Sequence, residues 1–245
     1  MKLIVSGVVF FEPTSVLKSI RIIPSISASL SSKPKSTIAP IAFASPNTLE
    51  LKELWRETQS DSVDLTSSPT WWKTLDSFGL NSQFRMELEH LARLPVSPHS
   101  KTAGTLSFLT EEGIAQMAIN LLPFFQHLVI KCGDRGVVVV MRVSCQTKWA
   151  SERSNIHGRY IVSSGNGSGD IVVLQHFPAN HLPQESISNV TGAGDTLVAS
   201  VLASLVQNLN GFEDPESLRN IIEDAQAAAV LTLKSEYAVS PSLSL

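Results

Sequence analysis

The sequence predicts an α/β protein, with helices layered on a mostly parallel sheet. Three observations predict it. The runs at residues 3–11, 137–141 and 171–177 are β-branched and apolar without polar alternation, as in strands buried on both faces. Segments with helical spacing alternate with these runs. The chain has 245 residues, 43% of them hydrophobic, enough for a sizeable core.

In chain order, residues 3–11 read as one strand, ended by Glu12-Pro13-Thr14. Residues 15–22 follow as a short helix, and the Ser-rich stretch 25–35 reads as a loop. A second apolar run at 38–44 is interrupted by Pro40. After Ser45-Pro46-Asn47, residues 48–56 read as a helix. The texture then changes, and residues 57–105 read as an insert or lid within a single domain spanning 1–245. Trp71 and Trp72 either anchor that insert by burial or stack on a base or sugar. Residues 81–94 within it show helical spacing at Phe84, Leu88 and Leu91.

Residues 112–125 predict an amphipathic helix with Ile114, Met117, Ala118 and Leu121 on one face. Residues 127–131 and 137–141 read as a hairpin closed by Gly133-Asp134-Arg135-Gly136. Residues 165–169 read as a flexible tip in a polar stretch, before a strand at 171–177. Helices at 197–209 and 216–233 complete the pattern, the second turning Ile221, Ile222 and Ala225 inward.

Composition excludes several function classes. A net charge of -3 argues against nucleic acid or an anionic membrane as partner. Cys132 and Cys145 are too few for a disulfide framework or a zinc site, so a reducing, cytoplasmic setting is expected. Cys132 reads as a core residue. His127, His157, His176 and His181 lack metal-ligand spacing. No apolar run is long enough to span a bilayer.

The chemistry concentrates in Thr191-Gly192-Ala193-Gly194-Asp195, ahead of a long apolar helix. Two glycines allow a tight turn that exposes successive N–H groups, and the helix start adds unpaired donors and a positive dipole end. Together they form an anion hole suited to a developing phosphate charge. Asp195, in the first turn, is placed to accept a proton from an attacking hydroxyl. On spacing alone, a plain turn and helix cap fits equally well. The lysine of a Walker A loop is missing, which excludes a P-loop nucleotidase. Asn47 and Glu50, at i and i+3 of a helix start, could hold a hydrated magnesium, or simply cap that helix.

Residues 189–203 resemble the C-terminal signature of the PfkB, or ribokinase-like, carbohydrate kinases. Asn47-Thr48-Leu49-Glu50 resembles that family's Asn-X-X-Glu motif, Cys132-Gly133-Asp134-Arg135-Gly136 its nucleotide turn, and residues 225–229 the helix lining the adenine pocket. The resemblance implies a ribokinase-like three-layer sandwich that uses ATP and Mg2+. It makes Asp195 the catalytic base and Gly192, Ala193 and Gly194 the anion hole. Asn47, Glu50, Lys131, Gly133, Asp134, Gly136, Thr191 and Gln226 become nucleotide-site residues, with Glu50 holding the metal through water.

Phe11-Glu12-Pro13-Thr14-Ser15, residues 45–51 and the Trp71 to Arg85 stretch look like the pseudouridine kinase branch, particularly fungal forms. The implied reaction is phosphorylation of pseudouridine to pseudouridine 5'-phosphate, with possible fusion to, or association with, a pseudouridine-5'-phosphate glycosidase. The resemblance also implies that the family's N-terminal strands, sugar-binding segment and lid are missing. It therefore leaves open a nucleotide-binding remnant, or a kinase for another sugar or ribonucleoside. Asn189 stands where the family commonly has the aspartate of a monovalent-cation site, so such an ion is left open.

Overall fold

The computed structural model describes residues 2–5, 8–32, 39–98, 100–165 and 169–243. The strands are β1 (Lys2–Val5), β2 (Val8–Phe11), β3 (Ile41–Ala44), β4 (Pro95–Ser97), β5 (Ser100–Thr105), β6 (Phe125–Lys131), β7 (Val137–Ser144), β8 (Tyr160–Val162) and β9 (Asp170–Phe177). The α-helices are α1 (Val16–Ser19), α2 (Ile23–Ser32), α3 (Thr48–Thr58), α4 (Pro69–Ser77), α5 (Ser82–Ala92), α6 (Phe108–Glu111), α7 (Ile114–Leu121), α8 (Ala193–Gln207) and α9 (Pro215–Leu233).

A seven-stranded sheet runs in the order β1-β2-β3-β6-β7-β9-β8, and β4 and β5 form a separate ribbon. The pairs β2–β3 and β3–β6 are parallel, while β1, β7 and β8 run against their neighbours. Thus β2, β3, β6 and β9 share one direction, and their carboxyl ends lie along one edge. The chain returns by hairpin at β6–β7, as the Gly133 to Gly136 turn predicts.

Alternate strand residues feed two cores. On one face Phe11, Leu128, Val138, Val140 and Leu174 pack with residues of α2, α3, α5 and α7. On the other, Phe10, Phe43, Val129, Val139 and Val173 pack against Val198, Val201 and Leu205 of α8 and Ile222 and Ala225 of α9. β7 is buried from Val137 through Val143, so covering both faces explains its lack of polar alternation. The α/β class is as expected.

Three local expectations are corrected. Residues 3–11 are not one strand: β1 and β2 pair antiparallel, Val5 opposite Val8, and an apolar run gives no sign of where it folds back. Ser6 and Gly7 lie outside the described residues. The predicted loop at 25–35 is helical as far as Ser32, because Ile22, Ile23 and Ile26 are buried at helical spacing and outweigh the serines. Residues 33–35 and 38 lie outside the described residues, as do 166–168 of the predicted tip. The helix predicted at 112–125 is shorter. Gly113 takes a left-handed φ of 70° before α7, and Phe125 already begins β6.

Within 57–105, Trp71 is buried, stacks near Trp55 with centroids 6.3 Å apart, and donates its indole N–H to the Asn120 carbonyl at 2.9 Å. That is the anchoring role. Trp72 is 56% exposed.

Candidate active site

The parallel strands deliver their following residues to the shared carboxyl edge, where open α/β sheets bind ligands. Glu12 follows β2, Asn47 and Glu50 follow β3, and Lys131 ends β6. The Lys131 N–H donates to the Pro46 carbonyl at 2.9 Å, and Asn47 bridges Lys131 in parallel register. The Ser45 hydroxyl donates to the Val129 carbonyl at 3.1 Å, further fastening the β3 exit to β6.

Asn47 caps α3. Its Oδ1 accepts from the N–H groups of Leu49 and Glu50, both at 2.9 Å, and Glu50 Oε2 accepts from the Asn47 N–H at 2.8 Å. This is a reciprocal capping box. The glutamate is nevertheless 3% exposed, well inside the edge rather than on the surface.

The start of α8 faces these groups. Gly192 adopts φ 83°, and a Cβ there would lie 1.8 Å from the Ala238 carbonyl oxygen, so the turn needs glycine. The Asn189 side chain accepts from the Thr191 N–H at 2.9 Å and steadies the approach. The first N–H groups of α8, from Ala193 onward, have no partner within the helix. Asp195 is exposed in this first turn. The Gly192 turn is latched from below: the Thr196 and Thr232 hydroxyls, both buried, meet at 2.9 Å, and Ser188 and Asn189 donate backbone N–H groups to the Leu233 carbonyl.

Lys131 links the parts. Its Cδ lies 3.6 Å from where a Gly194 Cβ would stand, and its Nζ meets Glu12 Oε1 at 2.6 Å. Both side chains are largely buried, 15% and 13% exposed. Burial pushes the Glu12 carboxyl above its usual range. Lys131 opposes that shift, and the nearby Glu50 and Asp195 charges add to it. Glu12 Oε2 is buried without a hydrogen-bond partner.

Beside this cluster opens a cleft of about 610 Å3, lined by Lys131, Gly133, Asp134, Gly136, Ala193, Gly194 and Gln226. Apolar walls come from Val137, Leu197, Ala229, Val230 and Leu233. Gly136, at φ 89°, is held so close to β9 that a Cβ would lie 2.1 Å from the Phe177 carbonyl oxygen. Arg135 faces away from the cleft: its guanidinium pairs with Glu112 at 2.6 Å and covers the Phe108 ring.

Residues 147–244 match the pfkB family carbohydrate kinases. The match falls on the C-terminal part of the chain. Over 235 residues it is 28% identical to the pseudouridine-metabolizing bifunctional protein of Schizosaccharomyces pombe, covering 96% of this chain and 26% of that protein. It therefore spans about a quarter of that relative's length. Among solved structures, ribokinase from Thermotoga maritima is 14% identical with a TM-score of 0.40, covering 96% of this chain and 45% of that one. Aminoimidazole riboside kinase from Salmonella enterica is 14% identical with a TM-score of 0.42, covering 96% and 49%.

The matched residues thus include the Gly192 turn and Gln226, while Asn47, Glu50 and Lys131 reach the same edge from outside them. Glu12 is the site residue that motif reading missed. The sequence shows it as an acid directly after a buried strand, inside the Phe11 to Ser15 segment, but assigns it no role. Cys132 is a core residue, its thiol pushed up to about 12 by burial.

The donor set suits a divalent cation held through water. The Glu50 and Asp195 charges act on Glu12, and carboxylate oxygens are the hard donors that hydrated magnesium takes. Among the described residues no group of three or more His, Cys, Asp or Glu side chains could ligate a metal directly. Among them, too, no helix is long and apolar enough to cross a membrane.

Proposed function

We propose that this chain supplies the phosphoryl-transfer machinery of a PfkB-type kinase, which moves the γ-phosphoryl group of ATP to a hydroxyl of a nucleoside or sugar. Pseudouridine, converted to pseudouridine 5'-phosphate, is the substrate we favour. One observation carries the reading: Lys131 borders both the nucleotide-sized cleft and the acidic cluster, with its stem against the start of α8. The S. pombe relative's metabolism of pseudouridine supports the substrate, and its bifunctional character supports association with a glycosidase. We take residues 1–245 as one kinase domain, with 57–105 as its insert.

The adenosine would lie between Val137, Ala229 and Leu233, with Gln226 the polar group facing it. The phosphates would extend past Gly133 and Lys131 toward the α8 N-terminus. Asp195 takes the proton of the acceptor hydroxyl as its oxygen bonds to the γ-phosphorus. The bond from that phosphorus to the β,γ-bridging oxygen breaks, and ADP leaves. The N–H groups of Ala193 and Gly194 bind the charge that gathers on the transferring group. Magnesium, held through water by Asn47 and Glu50, would neutralise phosphate charge when bound.

The decisive test is Asp195→Asn, assayed with ATP and pseudouridine. Turnover should fall at least about a hundredfold, the usual scale of a positioned general base, while calorimetry shows ATP binding intact. Unchanged turnover would remove Asp195 from the mechanism. Binding of ATP by the unaltered chain without turnover would make it a nucleotide-binding module instead.

A further inference from the structure

Lys131 is held in an arrangement that serves neither neighbour fully. It lines the cleft, yet its ammonium is taken up by Glu12 at 2.6 Å. Glu12 in turn binds Lys131 through Oε1 only and leaves Oε2 buried without a partner. A buried acceptor without a donor is costly, and it marks a place a ligand's O–H or N–H can fill. A lysine is a compact point charge on a flexible four-carbon stem, so it can exchange one anion for another without backbone movement. That stem lies beside Gly194, its Cδ 3.6 Å from where a Cβ would stand.

We propose that Lys131 is a two-position arm: it rests on Glu12 while the cleft is empty, and moves to the β- and γ-phosphates when a nucleoside triphosphate enters. Its departure frees both oxygens of Glu12 to accept hydrogen bonds from the acceptor substrate's hydroxyls. Nucleotide binding and acceptor binding are then coupled through one ion pair, and by linkage each ligand tightens the other. The proposal rests on the kinase reading, since the second position needs a polyphosphate in the cleft.

The sign of one mutation separates this arm from a plain structural ion pair. In Glu12→Gln the resting partner is gone, so Lys131 is available to phosphate at no cost. Calorimetry with Mg2+ and a non-hydrolysable ATP analogue should show binding tightened by roughly tenfold, the scale of a close charge-pair coupling. AMP, which lacks the β- and γ-phosphates, should bind the variant and the parent alike. In Lys131→Met the analogue should bind more weakly, and adding Glu12→Gln to that background should change nothing further. With the parent chain, pseudouridine should bind more tightly when the analogue is present, and Lys131→Met should abolish that gain.

The arm is overturned if Glu12→Gln leaves analogue binding unchanged or weakened. It is equally overturned if the same tightening appears in the Lys131→Met background, which would make it a bare charge effect. Failure of the parent chain to bind the analogue overturns the kinase reading together with the arm, whereas intact binding with failed coupling overturns the arm alone. Thermal unfolding confirms that each variant is folded. If Glu12→Gln is not, Glu12→Asp withdraws the carboxylate by one methylene and should tighten analogue binding in the same direction.

Discussion

At the scale of single residues, the turn glycines differ in what they tolerate. Gly192 and Gly136 combine a positive φ with neighbouring backbone carbonyls 1.8 and 2.1 Å from a hypothetical Cβ. Gly133 has φ 64° but nothing within 4 Å. Gly133→Ala should therefore cost only about 1–2 kcal/mol, the left-handed penalty alone. Gly192→Ala must also displace the Ala238 carbonyl and should cost about 3 kcal/mol or more, with loss of nucleotide binding. Urea midpoints of the two variants check the difference. The sequence shows all three as turn glycines, but their ranking depends on chain that returns from elsewhere, Ala238 in one case and Phe177 in the other.

At the scale of elements, two buried histidines tie β6 and β9 into the fold. His176 accepts from Arg159 through Nδ1 at 3.0 Å and contacts the Arg135 carbonyl through Nε2 at 2.7 Å, bracing the Gly133 to Gly136 turn from below. Burial lowers its pKa to about 4. His127 packs between Phe43 and Phe212, and burial lowers it to about 3. Both folded values lie below the ordinary 6.5, so the unfolded chain binds more protons in between. The stability they contribute is full above pH 6.5 and is lost as pH falls toward 4 for His176 and toward 3 for His127. Each contributes a slope of at most about 1.4 kcal/mol per pH unit. His127 Nδ1 has no hydrogen-bond partner, so His127→Phe removes a titrating group without stranding a donor. Urea midpoints between pH 7 and 4 should fall less steeply in His127→Phe than in the parent chain. Periodicity places both histidines on strands, but only the packing of α6, β9 and the residues near Phe212 decides that they stay neutral.

At the scale of the whole molecule, the cleft lies where the sheet edge meets α8 and α9, so a ligand there bridges elements far apart in sequence. A ligand that binds only the folded state stabilises it by about 2.7 kcal/mol at a hundred times its Kd. For a chain of this length that is roughly 5–10 °C in melting temperature. Mg-ATP should raise the Tm of the parent chain and of Asp195→Asn by similar amounts. Ala229→Trp, which fills the apolar part of the cleft, should lose that rise; differential scanning fluorimetry checks all three.

Local chemistry by itself determined the class of this protein and pointed to one half of its candidate site. Uninterrupted β-branched runs require a sheet covered on both faces, and two glycines before an apolar helix require a turn that exposes N–H groups. Both depend on near neighbours, which is why they are legible without a structure. Tertiary structure decided where the chain folds back between β1 and β2, that the serines of 25–32 are carried in a helix, and that Glu12 joins the site. Glu12 and Lys131 stand 119 residues apart, and neither belongs to a local pattern that names the other. They meet because parallel pairing of β2, β3 and β6 sets three carboxyl ends side by side. Burial at that edge then leaves a carboxylate and an ammonium with little water to turn to except each other.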